Sequence, residues 1–234
     1  MIDKKFPISI SLAIPVYNNK QTAIPLVKKI NLLIGKTCRR YEILIADDKS
    51  TDGTTELLKQ NFLNKKNIKV FLNKKNVGIA KNIMSLYKKA RYEYIVLFSV
   101  DGDWNPKDIK GLIEKAYVGN SDMVIGKRDT SVYSLYRRTV SFFYNFLPVL
   151  FFGINTIDAG SIKIFRSYLI KRIPLSSKSV FFEAELIIKV KRYGYKIASI
   201  PISFHRKDKK TGSGGKIKLI LQSLKDLINL LFTL

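Results

Sequence analysis

The sequence predicts an α/β domain built around a mostly parallel sheet. Runs of β-branched and aromatic residues alternate with segments of helical periodicity through the first half of the chain, which is typical of βαβ units. The 234 residues are enough to bury one sizeable core, and 46% hydrophobic with 26% charged residues is ordinary for a folded protein. We therefore expect one large domain over residues 1–204 and a module of different composition over residues 205–234.

The first half of the chain is expected to contain five strands and four helices. The strands are placed near residues 8–15, 41–46, 68–72, 94–100 and 122–126. The helices are placed between them, near residues 21–34, 54–61, 79–90 and 106–117. Pro106 suits the first turn of the fourth helix, where a backbone N–H has no partner within the helix.

The alternation breaks down after Arg128. A long apolar and aromatic helix is expected over residues 133–152, followed by a strand near 161–165, a helix near 181–193 and a strand near 197–204. Residues 142–152 are too short a stretch, and too interrupted by proline, to cross a bilayer. They form either a buried core helix or a surface that meets a membrane or an isoprenoid chain.

Two acidic segments each follow a predicted strand. Residues 47–54 read DDKSTDGT and residues 101–103 read DGD. Ligands in open α/β sheets gather outside the carboxyl ends of the strands, where both segments fall. Two carboxylates one residue apart can bind one divalent cation, and oxygen ligands suit magnesium or manganese. The alternatives are a solvated turn for the second segment and a helix N-cap at Ser50 or Asp52 for the first.

The charge of the chain points to an anionic partner. Forty-two Lys and Arg against eighteen Asp and Glu give a net charge of +24. Nucleic acid, an acidic membrane surface or a phosphorylated substrate would each fit this charge. Nucleic acid is disfavoured because no stacking platform or groove-reading motif accompanies the lysines, and because clustered carboxylates repel phosphates unless a metal intervenes.

The numbers of cysteines and histidines limit the possible metal sites and disulfides and indicate the cellular compartment. Cys38 and His205 are the single cysteine and the single histidine, which excludes an internal disulfide and a Cys/His zinc site. A reducing compartment is expected. The first residues lead into a strand without the apolar segment of a signal peptide, so a cytoplasmic location is expected.

A series of short motifs in a fixed order extends over most of the chain. It comprises IPVYN at 14–18, DDKSTDGT at 47–54, NVGIA at 76–80, DGD at 101–103, GKR at 126–128, FEAE at 182–185 and a basic segment at 206–216. On these motifs the chain resembles the family-2 glycosyltransferases of GT-A fold, and among them the polyprenyl-phosphate sugar synthases of the dolichol-phosphate mannose synthase type.

The resemblance implies an inverting, metal-dependent transfer from a UDP- or GDP-sugar to a polyprenyl phosphate. It implies that Pro15, Tyr17 and Asp48 hold the base and the ribose of the donor. Asp101, Gly102 and Asp103 would hold the diphosphate and a Mg²⁺ or Mn²⁺ ion, with Asn105 as a further oxygen ligand of the metal. Gly102 stands where an alanine is commoner, with little expected consequence.

The acceptor side is predicted from basic residues. Arg137 and Ser141 lie one turn apart on one face of the helix that begins near residue 133. Together with Arg128 they match an Arg, Arg-x-x-x-Ser pattern of the synthases, which implies a clamp for the acceptor phosphate. A solvated, basic start of the helix is the alternative. Asp158 resembles an Asp that precedes a later strand in the family, with either a site role or a loop-capping role.

The acceptor decides whether a general base is needed. A phosphate is already an anion, whereas a hydroxyl, as in transfer to a glycan during surface polysaccharide assembly, needs a carboxylate or histidine nearby. Glu185 is the candidate base for a hydroxyl acceptor. The candidate catalytic residues are therefore Asp103, Arg128 and Glu185.

The last thirty residues are expected to serve the donor and the membrane. The resemblance assigns Arg206 and Lys216 to the donor phosphates, on a glycine-containing loop that closes over substrates; a disordered basic tail is the alternative. Residues 216–234 predict an amphipathic helix that lies on an anionic membrane or packs against a partner. The chain is therefore expected to act peripherally at the inner face of a membrane.

Overall fold

The computed structural model describes residues 5–129, 135–204 and 217–234. Within them, seven strands form one sheet: β1 (Phe6–Val16), β2 (Cys38–Asp47), β3 (Ile68–Leu72), β4 (Tyr94–Leu97), β5 (Met123–Arg128), β6 (Lys163–Arg166) and β7 (Ile197–Ile202). Their order across the sheet is β3-β2-β1-β4-β6-β5-β7. β6 runs antiparallel to β4 and β5, and the other neighbouring strands are parallel. The predicted mostly parallel sheet is confirmed.

The described residues form eight helices: α1 (Ala23–Thr37), α2 (Thr54–Phe62), α3 (Ile79–Lys89), α4 (Asp108–Val118), α5 (Leu135–Phe152), α6 (Tyr168–Arg172), α7 (Phe182–Arg192) and α8 (Ile217–Thr233). Each helix and strand expected from the sequence is present, with ends shifted by a few residues. The short α6 was not predicted. None of the helices in the described part of the chain combines the length and the apolar character that a membrane span requires.

Both faces of the sheet are covered, so its central strands consist mainly of apolar residues. In β1, Leu12 and Ile14 point to one face and pack with residues of α1 and α4. Ala13 points to the other face and packs with residues of α3 and α7. Successive residues of a strand alternate between faces, and a strand buried on both sides therefore needs a continuous apolar run. This three-layer arrangement leaves only the ends of the strands open to ligands.

Helix α8 packs on the domain through one side. Leu227 and Leu230 are buried in the same cluster as α7. Asp226 accepts hydrogen bonds from the backbone N–H groups of Lys178 (3.0 Å) and Ser179 (2.7 Å), just before α7 begins. A second apolar stripe on α8 is exposed; it contains Ile217, Leu221, Leu224, Ile228 and Leu231. The helix therefore uses one apolar side within the protein and presents another to its surroundings.

Candidate functional site

A cavity of about 660 Å³ lies at the carboxyl ends of β1, β4 and β5. One of its walls is formed by the strand ends and the loops that follow them; it carries Pro15, Asp101, Asp103, Arg128 and Asp158. The opposite wall is formed by α5 and α8 and is mainly apolar; it includes Val140, Phe143, Leu147, Leu219, Ile220 and Leu224. One cavity therefore joins a charged region to an apolar passage between two helices.

The loop after β4 places two carboxylates at this cavity. The Asp103 backbone N–H donates a hydrogen bond of 3.1 Å to Oδ1 of Asp101. Between them Gly102 has a φ of +90°, a region that residues with a side chain rarely adopt. The expectation that glycine and alanine are interchangeable here is therefore corrected, because the turn that brings the two carboxylates together depends on glycine.

The electrostatics of the pair favour a cation. Desolvation by the surrounding protein raises the pKa of Asp101, the hydrogen bond from Asp103 opposes this shift, and the charge of Asp103 adds to it. A divalent ion beside the pair would stabilise the ionised form of Asp101. The described residues contain no group of three or more Asp, Glu, His or Cys side chains that could hold a metal. Mg²⁺ often binds through one or two carboxylates and completes its shell with substrate phosphates and water, so the pair fits such an ion.

Asn105 has a local role. Its side-chain oxygen accepts a hydrogen bond of 3.1 Å from the backbone N–H of Lys107, immediately before α4. The residue does not belong to the cavity wall. This geometry is a turn that leads into a helix, so nothing in the structure singles out Asn105 as a metal ligand.

The residues predicted to hold the base and the ribose of the donor are only partly brought to the cavity. Pro15 is buried and lines it, whereas Tyr17 is 48% exposed and lies outside its wall. Asp48 is 3% exposed and also lies outside the wall. Its carboxylate accepts hydrogen bonds from Asn73 Nδ2 (2.9 Å), Val77 N (2.8 Å) and Gly78 N (2.9 Å). Asp48 therefore orders the loop between β3 and α3.

Arg128 is held in one position at the end of β5. Its backbone N–H and its Nε donate to Asp158 Oδ2 at 3.1 and 2.7 Å, and its Nη2 contacts Asp158 Oδ1. The guanidinium carbon lies 5.3 Å from the centre of the Trp104 ring and 5.4 Å from that of Phe204. A planar guanidinium fixed by a carboxylate and by two rings keeps a defined orientation in the cavity. The resemblance had given Asp158 two possible roles; in the structure it orients Arg128.

Trp104 and Phe204 were not singled out from the sequence. They pair by an isolated β-bridge and pack edge to face with ring centroids 4.9 Å apart. The signal available for Trp104 was its place directly after Asp103, as the single tryptophan of the chain. The contact with Phe204 joins segments one hundred residues apart and follows only from the fold.

The remaining acceptor and donor residues are described to different extents. Ser141 on α5 lines the cavity. Arg137 belongs to the same helix one turn earlier, but its side chain lies outside what the structure describes. Arg206 and Lys216 also lie outside the described residues.

Glu185 is not brought to the cavity, which corrects its expected role as a base. The side chain is fully buried and accepts hydrogen bonds from Ser176 N (2.9 Å), Ser177 N (2.8 Å) and Lys189 Nζ (2.7 Å). Burial alone would raise the pKa of Glu185, but these hydrogen bonds lower it below its ordinary value. The carboxylate is thus a weak base with structural partners. Glu183, two residues earlier, lines the cavity instead.

Comparison with known proteins identifies the family of this fold. The model of the family described as "Glycosyl transferase family 2" matches residues 11–173. A dodecaprenyl-phosphate galacturonate synthase of Rhizobium johnstonii is 23% identical over 229 residues, covering 96% of this chain and 67% of that protein. A dolichyl-phosphate beta-glucosyltransferase of Saccharomyces cerevisiae is 29% identical, covering 93% of this chain and 72% of that protein.

A solved structure confirms the fold. Glucosyl-3-phosphoglycerate synthase from Mycobacterium tuberculosis, crystallised with Mn²⁺, UDP and phosphoglyceric acid, superimposes with a TM-score of 0.73 at 16% identity. The match covers 96% of this chain and 78% of that one. The same synthase has also been crystallised with Mg²⁺ and UDP. The predicted GT-A fold is confirmed.

Proposed function

Since the chain belongs to glycosyl transferase family 2 and is a glycosyltransferase, we propose that it transfers a sugar from a nucleotide diphosphate to a polyprenyl phosphate at a membrane surface. The observation that carries the proposal is the cavity itself. It places a carboxylate pair suited to a metal diphosphate and an apolar passage suited to an isoprenoid chain within one continuous space. A glycan acceptor would not need the apolar passage.

The related proteins support the acceptor class. The two curated relatives are named for transfer to dodecaprenyl phosphate and dolichyl phosphate. Their sugars differ, one being galacturonate and the other glucose, so the sugar of the present enzyme is not carried over from them. The transfer assay therefore includes both UDP- and GDP-sugars.

Asp101 and Asp103 are the residues that we assign to a Mg²⁺ or Mn²⁺ ion and, through it, to the donor diphosphate. When bound, such an ion supplies positive charge that offsets the negative charge developing on the departing nucleotide. The chain's own contribution is to hold the two carboxylates side by side across Gly102. Pro15 forms the neighbouring wall at the end of β1 and limits where the nucleotide can lie.

Arg128 is the residue that we assign to the acceptor phosphate. It lies in the cavity with both the carboxylate pair and Ser141 of α5. Two phosphates that repel each other must approach closely in this reaction, and a guanidinium held in one orientation lowers that repulsion. Because the acceptor phosphate is already ionised, no general base is required. This agrees with the structural partners of Glu185.

Exposed apolar side chains next to the cavity support action at a membrane surface. Phe142 and Leu150 of α5 are 61% and 60% exposed, and Leu221 and Ile228 of α8 are 61% and 52% exposed. Helices with such stripes bind at the interface of a bilayer, and the net charge of +24 favours an anionic surface. The apolar passage between α5 and α8 would then open toward the lipid that carries the acceptor.

A transfer assay in which the two acceptor classes are supplied in separate reactions tests the proposal. The purified chain is incubated with labelled UDP- and GDP-sugars, Mn²⁺ and either undecaprenyl phosphate or a glycan with free hydroxyls. We expect label in the lipid phase, and we expect Arg128→Ala to raise the acceptor KM while the exposed Lys171→Ala leaves it unchanged. Label on the glycan alone would establish the alternative acceptor class and overturn the proposal.

Membrane attachment is tested separately, on the exposed stripe of α8. Removal of the whole helix would also expose Leu227 and Leu230, so a double substitution Leu221→Gln and Ile228→Gln is the cleaner change. We expect weaker co-sedimentation with phosphatidylglycerol vesicles, with Asn229→Gln on the same helix as the control. Equal binding of the two variants would mean that this stripe does not contact the membrane.

A further inference from the structure

A lysine is fully buried beneath the cavity. Lys163 in β6 has 0% exposure, and its Nζ contacts the carboxylate of Glu183 in α7. The same Nζ donates a hydrogen bond of 2.9 Å to the backbone carbonyl of Ala159. A buried charge is strongly unfavourable unless it is paired and hydrogen-bonded, so these two contacts account for how the lysine is tolerated.

The contact with Ala159 acts on the loop that carries Asp158. This loop runs from Asp158 to Ser161, and Gly160 and Ser161 line the cavity. Ser161 N donates back to the carbonyl of Asp158 at 3.0 Å, so the loop closes on itself. The hydrogen bond from Lys163 holds the backbone at Ala159, one residue after Asp158. It thereby restricts the direction in which the Asp158 carboxylate points.

Asp158 in turn fixes Arg128. It accepts from the backbone N–H, from Nε and from Nη2 of the arginine. Arg128 has several rotatable bonds and would sample many orientations without such partners. A continuous set of contacts therefore runs from Glu183 through Lys163, Ala159 and Asp158 to the guanidinium in the cavity.

We propose that Lys163 is a positioning residue for the acceptor step, which fixes the 158–161 loop so that Asp158 holds Arg128 in place for the acceptor phosphate. This inference rests on the proposed function, in which Arg128 binds that phosphate. The contacts named above do not include the carboxylates of Asp101 and Asp103, which we assign to the donor. Loss of Lys163 should therefore affect the acceptor far more than the donor.

The chain offers a matched control in a second buried ion pair. Lys189 Nζ contacts Glu185 at 2.7 Å and donates to the backbone carbonyl of Pro174 at 2.7 Å. Both of these side chains are buried in α7, and neither lines the cavity. The two pairs share their chemistry and differ in what the lysine holds. They differ also in that Glu183 lines the cavity, so Glu183→Gln alone is measured beside double variants that remove each pair, and an acceptor KM raised equally by Glu183→Gln alone would overturn the role of Lys163.

The experiment compares two double variants, each of which removes both charges of one ion pair, because removal of one partner alone would leave an unpaired buried charge. Lys163→Met with Glu183→Gln is compared with Lys189→Met with Glu185→Gln, in the full chain. We expect both to lose stability, and only the first to raise the acceptor KM, by about tenfold or more, with an unchanged donor KM. An unchanged acceptor KM, or equal kinetic effects of the two variants, would overturn the proposal.

Two further measurements separate this proposal from the proposed function. Asp158→Asn changes only the carboxylate that contacts Arg128, and it should raise the acceptor KM by a similar factor. An unchanged acceptor KM would contradict the proposal. Hydrogen–deuterium exchange of the 158–161 amides should accelerate in the Lys163→Met, Glu183→Gln variant relative to the control. If the exchange accelerates but the native chain transfers no sugar to polyprenyl phosphate, the proposed function is overturned. The dependence of the loop on Lys163 would still stand. Unchanged exchange would overturn the inference itself.

Discussion

The loops after β2 and β4 both place acidic residues at the carboxyl end of a strand, and both turn through a glycine with a φ of +90°. In the first loop the protein supplies the hydrogen-bond donors: Asp48 accepts from the β3–α3 loop, and Asp52 accepts from Thr54 and Lys20. In the second loop the carboxylates of Asp101 and Asp103 face the cavity. The comparison teaches that carboxylates at two strand ends can differ in use: those of the first loop hold neighbouring backbone, whereas those of the second line the cavity, where we propose that they bind a metal ion.

The largest effect is expected from Asp103→Ala. This change removes a carboxylate from the proposed metal site without altering the core, and loss of one charged group from a preorganised site costs about a hundredfold or more in rate. Donor hydrolysis and transfer are measured with Mn²⁺ and with EDTA. Asp52→Ala in the first loop is the control and should retain most of the activity. Full activity of Asp103→Ala would show that the carboxylates of the second loop are no more important for transfer than those of the first.

Asp48→Ala should act on stability. It leaves the Val77 N–H and one hydrogen of the Asn73 amide without an acceptor, whereas the Gly78 N–H keeps Asn76 Oδ1 at 3.1 Å. Each unsatisfied buried donor costs about 1–3 kcal/mol. We expect a loss of about 3 kcal/mol in the free energy of unfolding, measured by urea denaturation. Asp103→Ala leaves none of these donors without an acceptor and should lower that free energy by less than Asp48→Ala does. The opposite ranking would contradict the structural role of Asp48.

The two glycines offer a closely matched pair. Gly53→Ala and Gly102→Ala each force a side chain into the left-handed region, which costs about 1–2 kcal/mol. At Gly53 a Cβ would meet only the Lys20 side chain at ordinary contact distance, so backbone strain should account for its whole effect. Both variants should lose similar stability, whereas only Gly102→Ala should slow transfer. Equal loss of activity would show that both loops contact substrate.

The smallest expected effect is a pH dependence of stability from Asp52. Partial burial would raise the pKa of Asp52, but hydrogen bonds from Thr54 and Lys20 lower it below its ordinary value. A carboxyl whose pKa is lower in the folded state stabilises the fold above its unfolded pKa, and this stabilisation disappears as pH falls through the folded pKa. Urea midpoints between pH 7 and pH 3 should therefore fall more steeply for the native chain than for Asp52→Asn. If the midpoints of the two proteins fall equally with pH, the lowered pKa of Asp52 is contradicted.

The fold was predictable because its signals are local. The apolar stretches within β1 and β2, bounded by turn residues, predict buried strands, and α8 has a helical period visible in the sequence. The antiparallel direction of β6 was not predictable, because it depends on how the chain returns after α5. The five residues of α6 are too few to show a period.

The site was predictable in part for the same reason. Asp101 and Asp103 are neighbours in sequence, so their approach follows from one turn. The donors of Asp48 come from 25 to 30 residues further along the chain and depend on tertiary packing. Glu183 and Glu185 occupy the same first turn of α7, and only the neighbouring elements decide which of them meets the cavity.

The single cysteine has a practical consequence for spectroscopy. Cys38 is 1% exposed, and burial raises its pKa to about 12, so its thiol stays protonated and inaccessible to labelling reagents in the native protein near neutral pH. The native sequence therefore already serves as an unreactive background for site-directed probes. A cysteine introduced at an exposed position of α8, such as Ile228, would take up a spin label selectively. Power-saturation measurements with oxygen and a nickel chelate would then give the immersion depth of that helix on vesicles.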